Sequence, residues 1–258
     1  MSYKIVFFDI DGTLVNDEKQ VPQDTIDAIA KLKANGVEPV IATGRAPFNF
    51  EPLLEMLNID SFVSLNGAYV VYKGKTLYKH TLPVESMKKL VEHAGRNNHA
   101  LVFVGNEEYY SNSKEHPFVI ESVNTLRVKL PEYDPDFWQK AEIYQAFLHC
   151  EAEDEQLYDG VFEDLRLIRW HEKAMDVTIQ GGSKAVGIKA MLERLNLTTA
   201  DAVAFGDGLN DKEMLNEVGL GIAMGNAHPD LLPLADYVTA SVDDGGITQG
   251  LRHAGLIK

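Results

Sequence analysis

The sequence has very little of three things: cysteine, long apolar runs and positive charge. Its single cysteine, Cys150, excludes an internal disulfide framework and fits a reducing compartment. No stretch approaches the roughly 18 apolar residues that a membrane span requires. With 24 Lys and Arg against 39 Asp and Glu, the net charge of −15 argues against a nucleic-acid backbone as the main partner. We therefore expect a cytoplasmic protein that binds neither membranes nor nucleic acids.

The rest of the composition is that of an ordinary globular protein. At 258 residues, with 45% hydrophobic and 24% charged residues, the chain can form one large domain or two smaller ones without metal or disulfide staples. A small anionic substrate is compatible with the acidic composition if its site carries local positive charge or a bound cation. We expect a monomer or a weak homodimer.

Short apolar runs alternate with helical patterns near both ends of the chain. Ile5–Phe8 has the pattern of a strand buried on both faces, and Ala202–Phe205 has the same pattern. The strand-helix-strand alternation around them predicts a Rossmann-like, doubly wound parallel α/β core made from residues 1–82 and 183–258. Residues 83–182 mix helical and strand patterns less regularly, and we interpret them as a separate α+β domain inserted into this core.

Three of the predicted strands end in polar clusters. These clusters are Asp9–Thr13, Thr43–Arg45 and Asp207–Asp211. Ligands of open α/β sheets bind outside the carboxyl ends of the strands, so the three clusters are expected to converge although they lie far apart in sequence. The sequence therefore predicts one site at this edge of the sheet.

Asp9 and Asp11 are the clearest candidates for chemistry. Their spacing of two points both side chains to one side of an extended chain, where two carboxylates repel each other unless a cation lies between them or one is protonated. Hard oxygen ligands favour Mg²⁺. One carboxylate can act as a nucleophile and the other can move protons, although two solvated turn aspartates before a glycine are the common alternative.

At this point the chain resembles the haloacid dehalogenase superfamily of phosphatases, whose first motif is matched by Asp9-Ile10-Asp11-Gly12-Thr13-Leu14. The resemblance implies Asp9 as nucleophile and Asp11 as acid and base. Thr43 in Ile41-Ala42-Thr43-Gly44-Arg45 resembles the second motif. The resemblance implies that the Thr43 hydroxyl and the next backbone N–H hold phosphate oxygens.

The third and fourth motifs lie after the inserted domain. Lys184 resembles the motif lysine, and Gly206-Asp207-Gly208-Leu209-Asn210-Asp211 resembles the last motif. The resemblance implies a Mg²⁺ site of Asp9, Asp11 and Asp207. It also implies that phosphate is bound by Ile10, Thr43, Gly44, Lys184 and Asn210. The supporting residues that it implies are Asp211, Arg45 and Asn66.

Further features resemble the Cof-type branch of the superfamily, subclass IIB with a C2-type cap, which implies that residues 83–182 form an α+β cap domain that sets substrate specificity. They are Asn66-Gly67-Ala68, the position of the insertion, and Ala223-Met224-Gly225-Asn226-Ala227. The branch implies hydrolysis of phosphate monoesters of small metabolites such as sugar phosphates, phosphorylated cofactors or nucleotides. A phosphomutase of the same superfamily is the alternative, and a bisphosphate requirement would distinguish it.

Two other classes fit less well. Gly219-Leu220-Gly221-Ile222-Ala223-Met224-Gly225 only superficially resembles a dinucleotide-binding loop, because Met224 stands where the third glycine belongs. A phosphate-storing signalling module also uses carboxylates, Mg²⁺, a threonine and a lysine. The large insertion and Asp11, which would supply the acid and base of turnover, argue against that class.

Overall fold

The computed structural model describes residues 3–258, which form two compact units. The core unit contains residues up to 45, 50–79 and 183–258, and the inserted unit contains residues 46–49 and 80–182. Ala46–Asn49 thus group with the inserted unit, although they lie in the segment predicted as core. Among the described residues, none of the helices has the length and apolarity needed to cross a membrane.

The core unit is built on an eight-stranded sheet flanked by helices. Its strands are β1 (Ile5–Phe8), β2 (Glu38–Ala42), β3 (Phe62–Ser64), β4 (Tyr69–Tyr72), β5 (Lys75–Lys79), β12 (Ala202–Gly206), β13 (Leu220–Ala223) and β14 (Tyr237–Val238). Its helices are α1 (Gln23–Ala34), α2 (Glu51–Leu57), α6 (Lys184–Arg194), α7 (Lys212–Glu217) and α8 (Gly246–His253).

The order of these strands confirms the predicted doubly wound sheet. The order is β14-β13-β12-β1-β2-β3-β4-β5, with parallel pairing from β14 to β3 and an antiparallel extension through β4 and β5. Strand β1 is central because β2 pairs with one of its edges and β12 with the other. The chain adds strands first on the β2 side of β1 and later on the β12 side, so the carboxyl end of β1 lies at a topological switch point.

Both faces of β1 are buried, which explains its continuous apolar run. Ile5 and Phe7 pack into a core with Ile188 and Met191 of α6. Phe8 faces the other side and stacks on Phe205 with ring centroids 5.1 Å apart. The sheet is therefore covered by helices in the way that parallel sheets require.

The inserted unit has its own six-stranded sheet and its own hydrophobic core. The strands are β6 (Ala100–Val104), β7 (Tyr109–Ser111), β8 (Glu132–Tyr133), β9 (Gln145–His149), β10 (Leu165–His171) and β11 (Ala174–Ile179), in the order β10-β11-β9-β6-β7-β8. The helices are α3 (Val84–Arg96), α4 (Pro117–Thr125) and α5 (Phe137–Lys140). The sequence patterns of this segment predicted a mixture of helices and strands, and the structure contains both.

Candidate active site

A tight loop after β1 carries the first polar cluster. The N–H of Asp9 donates to the carbonyl of Phe205 at 3.0 Å, which ties the end of β1 to β12. Gly12 has a φ of +78°, and a Cβ there would lie 2.2 Å from Asp207 Oδ2. Only glycine satisfies both the left-handed backbone and this close approach. The loop therefore brings the first cluster against Asp207.

Lys184 lies at the centre of the site. It is the first residue of α6 and is 1% exposed, and its Nζ lies 2.6 Å from Asp9 Oδ1 and 2.7 Å from Asp211 Oδ1. Burial alone would lower the pKa of Lys184, but the two carboxylates outweigh it and raise the pKa. The ammonium is therefore charged, and it neutralises part of a buried carboxylate cluster. Ser183 takes the N-cap position of α6, but its side chain makes no capping hydrogen bond.

Asp211 is committed to holding the loop after β12. It is completely buried, and its Oδ2 accepts hydrogen bonds from the N–H groups of Asp207 at 3.0 Å and Gly208 at 2.9 Å. Its Oδ1 accepts from Lys184. Both oxygens are thus used within the protein, and Asp211 orients the lysine and the loop.

Asp9, Asp207 and Asp211 have carboxylate oxygens that all lie within 4.8 Å of one another. Burial raises the pKa of Asp9 to about 7, an effect that Lys184 opposes and the other two carboxylates reinforce. Burial also raises the pKa of Asp207 to about 6. One lysine therefore does not neutralise the cluster. Several oxygen donors and uncompensated negative charge fit a hard divalent cation such as Mg²⁺.

The Asp11 carboxylate is engaged elsewhere. Arg45 donates to both of its oxygens, from Nε at 2.8 Å to Oδ2 and from a terminal nitrogen to Oδ1, while Lys19 Nζ donates to Oδ1 at 2.7 Å. Burial acts to raise the pKa of Asp11, but the hydrogen bonds and charges of Arg45 and Lys19 outweigh it and lower the pKa. The predicted ligand set included Asp11, whereas its carboxylate lies outside the triad of Asp9, Asp207 and Asp211.

The second polar cluster follows β2. Thr43 is buried, and its Oγ1 accepts the N–H of Arg45 at 3.1 Å. Gly44 lies against Asn66, since a Cβ on Gly44 would be 3.1 Å from Asn66 Oδ1. The Asn66 Oδ1 also accepts from Asn210 Nδ2 at 3.4 Å, so the end of β2, the turn after β3 and the loop after β12 are joined.

Sequence reasoning missed three residues of this site. Thr13 donates its hydroxyl to Asp207 Oδ1 at 2.7 Å, and Lys19 pairs with Asp11. Gly67 has a φ of +93°, and a Cβ there would lie 2.1 Å from the carbonyl oxygen of Ser183, so it lets α6 approach closely. Thr13 and Gly67 stood within quoted motifs, whereas Lys19 had no local signal.

Comparison with known proteins agrees with this arrangement. A family model described as haloacid dehalogenase-like hydrolase matches residues 6–251. "Putative phosphatase YkrA" of Bacillus subtilis (strain 168) is 42% identical over the full length of both chains. "5-amino-6-(5-phospho-D-ribitylamino)uracil phosphatase YcsE" of the same organism is 30% identical, over 97% of this chain and 95% of that protein.

A solved structure extends the similarity to the fold. The HAD subclass IIB sugar phosphatase BT4131 is 30% identical, with a TM-score of 0.84 over 98% of this chain and all of that chain. The chain therefore belongs to the haloacid dehalogenase-like hydrolases. Within them it is a phosphatase of the Cof-type branch, subclass IIB, as the sequence motifs predicted.

Proposed function

We propose that this phosphatase is Mg²⁺-dependent and hydrolyses phosphate monoesters of small metabolites through an aspartyl-phosphate intermediate on Asp9. The position of Asp9 carries the proposal. Its Oδ1 is held by the buried Lys184 at 2.6 Å, so Oδ2 is the oxygen left to attack phosphorus. Lys184 orients the carboxylate and offsets the charge of an incoming phosphate.

Asp9 and Asp207 are the residues that would hold Mg²⁺. When bound, the ion would neutralise oxygen charge on the phosphoryl group. The Thr13 hydroxyl keeps Asp207 in place through a hydrogen bond. Lys184 does the same for Asp211. Asp11 would contribute its main-chain carbonyl oxygen to the ion, because Arg45 and Lys19 occupy its carboxylate.

Asp11 is our candidate for the proton-transferring residue. Its lowered pKa makes it a carboxylate at neutral pH, the form that removes a proton from the water attacking the aspartyl phosphate. Protonating the leaving alcohol requires that Asp11 first gain a proton, which Arg45 and Lys19 disfavour while they are bound to it. We therefore propose that these two hydrogen-bonding partners loosen during the first half-reaction.

Phosphate oxygens would be held by polar groups around the same strand ends. We assign this role to the Thr43 hydroxyl, the backbone N–H groups of Ile10 and Gly44, Asn210 and Lys184. Asn66 supports Asn210 through their hydrogen bond. Of these groups, Ile10, Thr43, Gly44 and Asn210 follow the strands β1, β2 and β12, and Lys184 contacts Asp9 directly. Positioning of this kind supplies most of the catalysis in phosphoryl transfer.

The inserted segment, residues 83–182, is proposed to select the substrate. One relative is a sugar phosphatase and another acts on a phosphorylated ribitylamino compound, so we place sugar phosphates and related metabolites first among candidate substrates, ahead of phosphorylated cofactors and nucleotides. A cytoplasmic location completes the proposal, in keeping with the lone cysteine.

The decisive experiment follows the atoms of Asp9. In H₂¹⁸O with Mg²⁺, water attacks the phosphorus of the aspartyl phosphate and breaks the bond between phosphorus and the Asp9 oxygen. The ¹⁸O therefore enters the released phosphate, and Asp9 stays unlabelled through repeated turnovers. Label in the Asp9 carboxyl group would mean that water attacks its carbonyl carbon instead. Peptide mass spectrometry after sodium borohydride reduction provides the direct trap, since an aspartyl phosphate at position 9 is reduced to homoserine. Absence of that residue during steady-state hydrolysis contradicts the intermediate.

Asp9→Asn is the companion variant. We expect it to abolish phosphate release from a panel of phosphorylated metabolites while leaving the circular dichroism spectrum unchanged, since the amide preserves volume but lacks the nucleophilic oxygen. Near-normal turnover in Asp9→Asn would overturn the assignment. Activity only in the presence of a bisphosphate activator would indicate a phosphomutase instead.

A further inference from the structure

The sheet of the inserted unit buries its two faces differently. Leu101 and Phe103 of β6 point to one face with Leu148 of β9, where they pack in the core that includes Met87 and Leu90 of α3. The alternating residues point to the other face, since side chains alternate along a strand. They include Val102, Val104, Gln145, Phe147, His149 and Asp176.

Helix α4 packs on this second face, against β6 and β11. Its Phe118 ring lies 4.8 Å from the ammonium of Lys173, which directly precedes β11. The helix therefore begins beside the end of the sheet where Ala174 neighbours His149. At the opposite end of the same face, the side chains are polar.

Tyr109, Gln145 and Asp176 make up this group, which we call the polar face cluster. Val104 pairs with Tyr109 on one side and with Gln145 on the other, so the two side chains flank it across three strands. Asp176 pairs with Phe147, which places it diagonally from Gln145, within reach of a long side chain. The Tyr109 ring stacks on Phe48 with centroids 5.3 Å apart.

Two atoms of the polar face cluster are buried without a hydrogen-bond partner. They are the Tyr109 hydroxyl and the Gln145 Oε1, and Gln145 is only 3% exposed. Buried polar groups in folded proteins almost always find a partner, and leaving one unpaired costs free energy. A ligand that supplies the missing partners would recover this cost.

The charge of the polar face cluster restricts the chemical class of ligand that it can bind. Burial raises the pKa of Asp176 to about 7, and a hydrogen bond from Gln145 is the only opposing influence. No Lys or Arg of residues 3–258 forms an ion pair with Asp176. A second phosphate or a carboxylate would therefore meet a carboxyl group without compensation, whereas a hydroxyl can donate to Gln145 Oε1 and can exchange hydrogen bonds with the tyrosine hydroxyl and the aspartate.

We propose that Tyr109, Gln145 and Asp176 bind hydroxyl groups of a sugar or polyol leaving group and so select polyhydroxylated phosphate monoesters. The proposal rests on the proposed phosphatase function and adds the residues that read the substrate. Residues that hydrogen-bond substrate hydroxyls discriminate strongly against analogues without them, because the protein groups are then left unpaired.

The test compares two substrates on the full-length protein with Mg²⁺. Sorbitol 6-phosphate carries hydroxyls on its leaving group, and p-nitrophenyl phosphate carries none. The measured quantity is the ratio of their kcat/KM values, sorbitol 6-phosphate over p-nitrophenyl phosphate. We expect Tyr109→Phe and Gln145→Leu each to lower this ratio by about tenfold, the effect of losing one hydrogen bond.

Tyr110→Phe is the matched control. Tyr110 is the next residue on β7 but points to the opposite face, where its ring packs on Phe137 and its hydroxyl donates to Glu108 at 2.8 Å. It should leave the ratio unchanged. Tyr109→Phe should also have a Tm no lower than that of the wild type, because it removes a buried hydroxyl that has no partner in the folded protein.

The outcomes separate this inference from the proposed function. Hydrolysis of p-nitrophenyl phosphate by the wild type, lost in Asp9→Asn, supports the function whatever the polar face cluster does. Equal ratios in the wild type, Tyr109→Phe and Gln145→Leu overturn the inference alone. A wild-type enzyme that prefers p-nitrophenyl phosphate to sugar and polyol phosphates overturns it as well.

Discussion

Replacing Lys184 with methionine should destabilise the protein more than any exposed lysine replacement. Lys184 Nζ lies 2.6 Å from Asp9 and 2.7 Å from Asp211, and the lysine is buried. Methionine keeps much of the volume but leaves both carboxylates without their cation. Removing one partner of a buried ion pair costs about 3–5 kcal/mol. At about 2–4 °C of Tm per kcal/mol for a protein of this size, the expected loss is roughly 6–20 °C.

The loss should depend on pH. Without Lys184, the pKa of Asp9 rises further above its unfolded value, so the native state holds a proton that the unfolded state has released. Stability then falls as the pH rises through that interval. The Tm difference between wild type and Lys184→Met should therefore be larger at pH 8 than at pH 5.5.

The assay is thermal unfolding followed by far-ultraviolet circular dichroism in chelator. Both tryptophans, Trp138 and Trp170, lie in the inserted unit, so fluorescence alone would miss unfolding of the core unit. The control is Lys189→Met on the same helix. Lys189 Nζ pairs with Glu217 at 2.7 Å, but the lysine side chain is 47% exposed, and such surface pairs contribute only about 0–1 kcal/mol. A Tm loss in Lys184→Met no larger than that of Lys189→Met at pH 8 would refute the reasoning.

Three further predictions follow from the same structure. Exhaustive chelation should abolish phosphate release and added Mg²⁺ should restore it and raise the Tm; full activity without the ion would exclude the proposed metal site. Asp176→Asn should raise the Tm more at pH 8 than at pH 5, because a folded pKa of about 7 makes stability fall as the pH rises above about 4, and a pH-independent change would contradict that pKa. Gly67→Ala should remove most activity, since its Cβ would lie 2.1 Å from the Ser183 carbonyl oxygen. Gly36 also has a positive φ but open space around it, so Gly36→Ala should cost only about 1 kcal/mol in unfolding free energy. Equal losses in the two variants would rule out a steric role for Gly67.

Sequence patterns predicted the core unit better than the inserted unit. Buried parallel strands are continuous apolar runs, so β1 and β12 could be recognised from four or five residues each. Several elements of the inserted unit are short or have mixed exposure. Strand β7 spans only Tyr109–Ser111. In β10 only Leu165 is buried and the later residues are exposed or half-buried, so neither strand gives a clear period.

The partners of the charged side chains could not be predicted in the same way. Each parallel strand of the core sheet ends where its apolar run ends. This end can be recognised from the local sequence, and it located Asp9, Thr43 and Asp207. Arg45 and Lys19 hold the Asp11 carboxylate because of the course of two loops in space. Neither residue carries a local sequence signal for this contact.

By itself, the sequence determined the phosphatase family, the parallel core sheet and the strand ends at which Asp9 and Asp207 lie. Tertiary structure alone decided that Lys184, 175 residues after Asp9, is completely enclosed between two carboxylates, and that Asp11 is turned away from them. The physical reason is that apolar periodicity records burial along one element. The energy of an ion pair depends instead on distances between elements and on the water that their packing excludes.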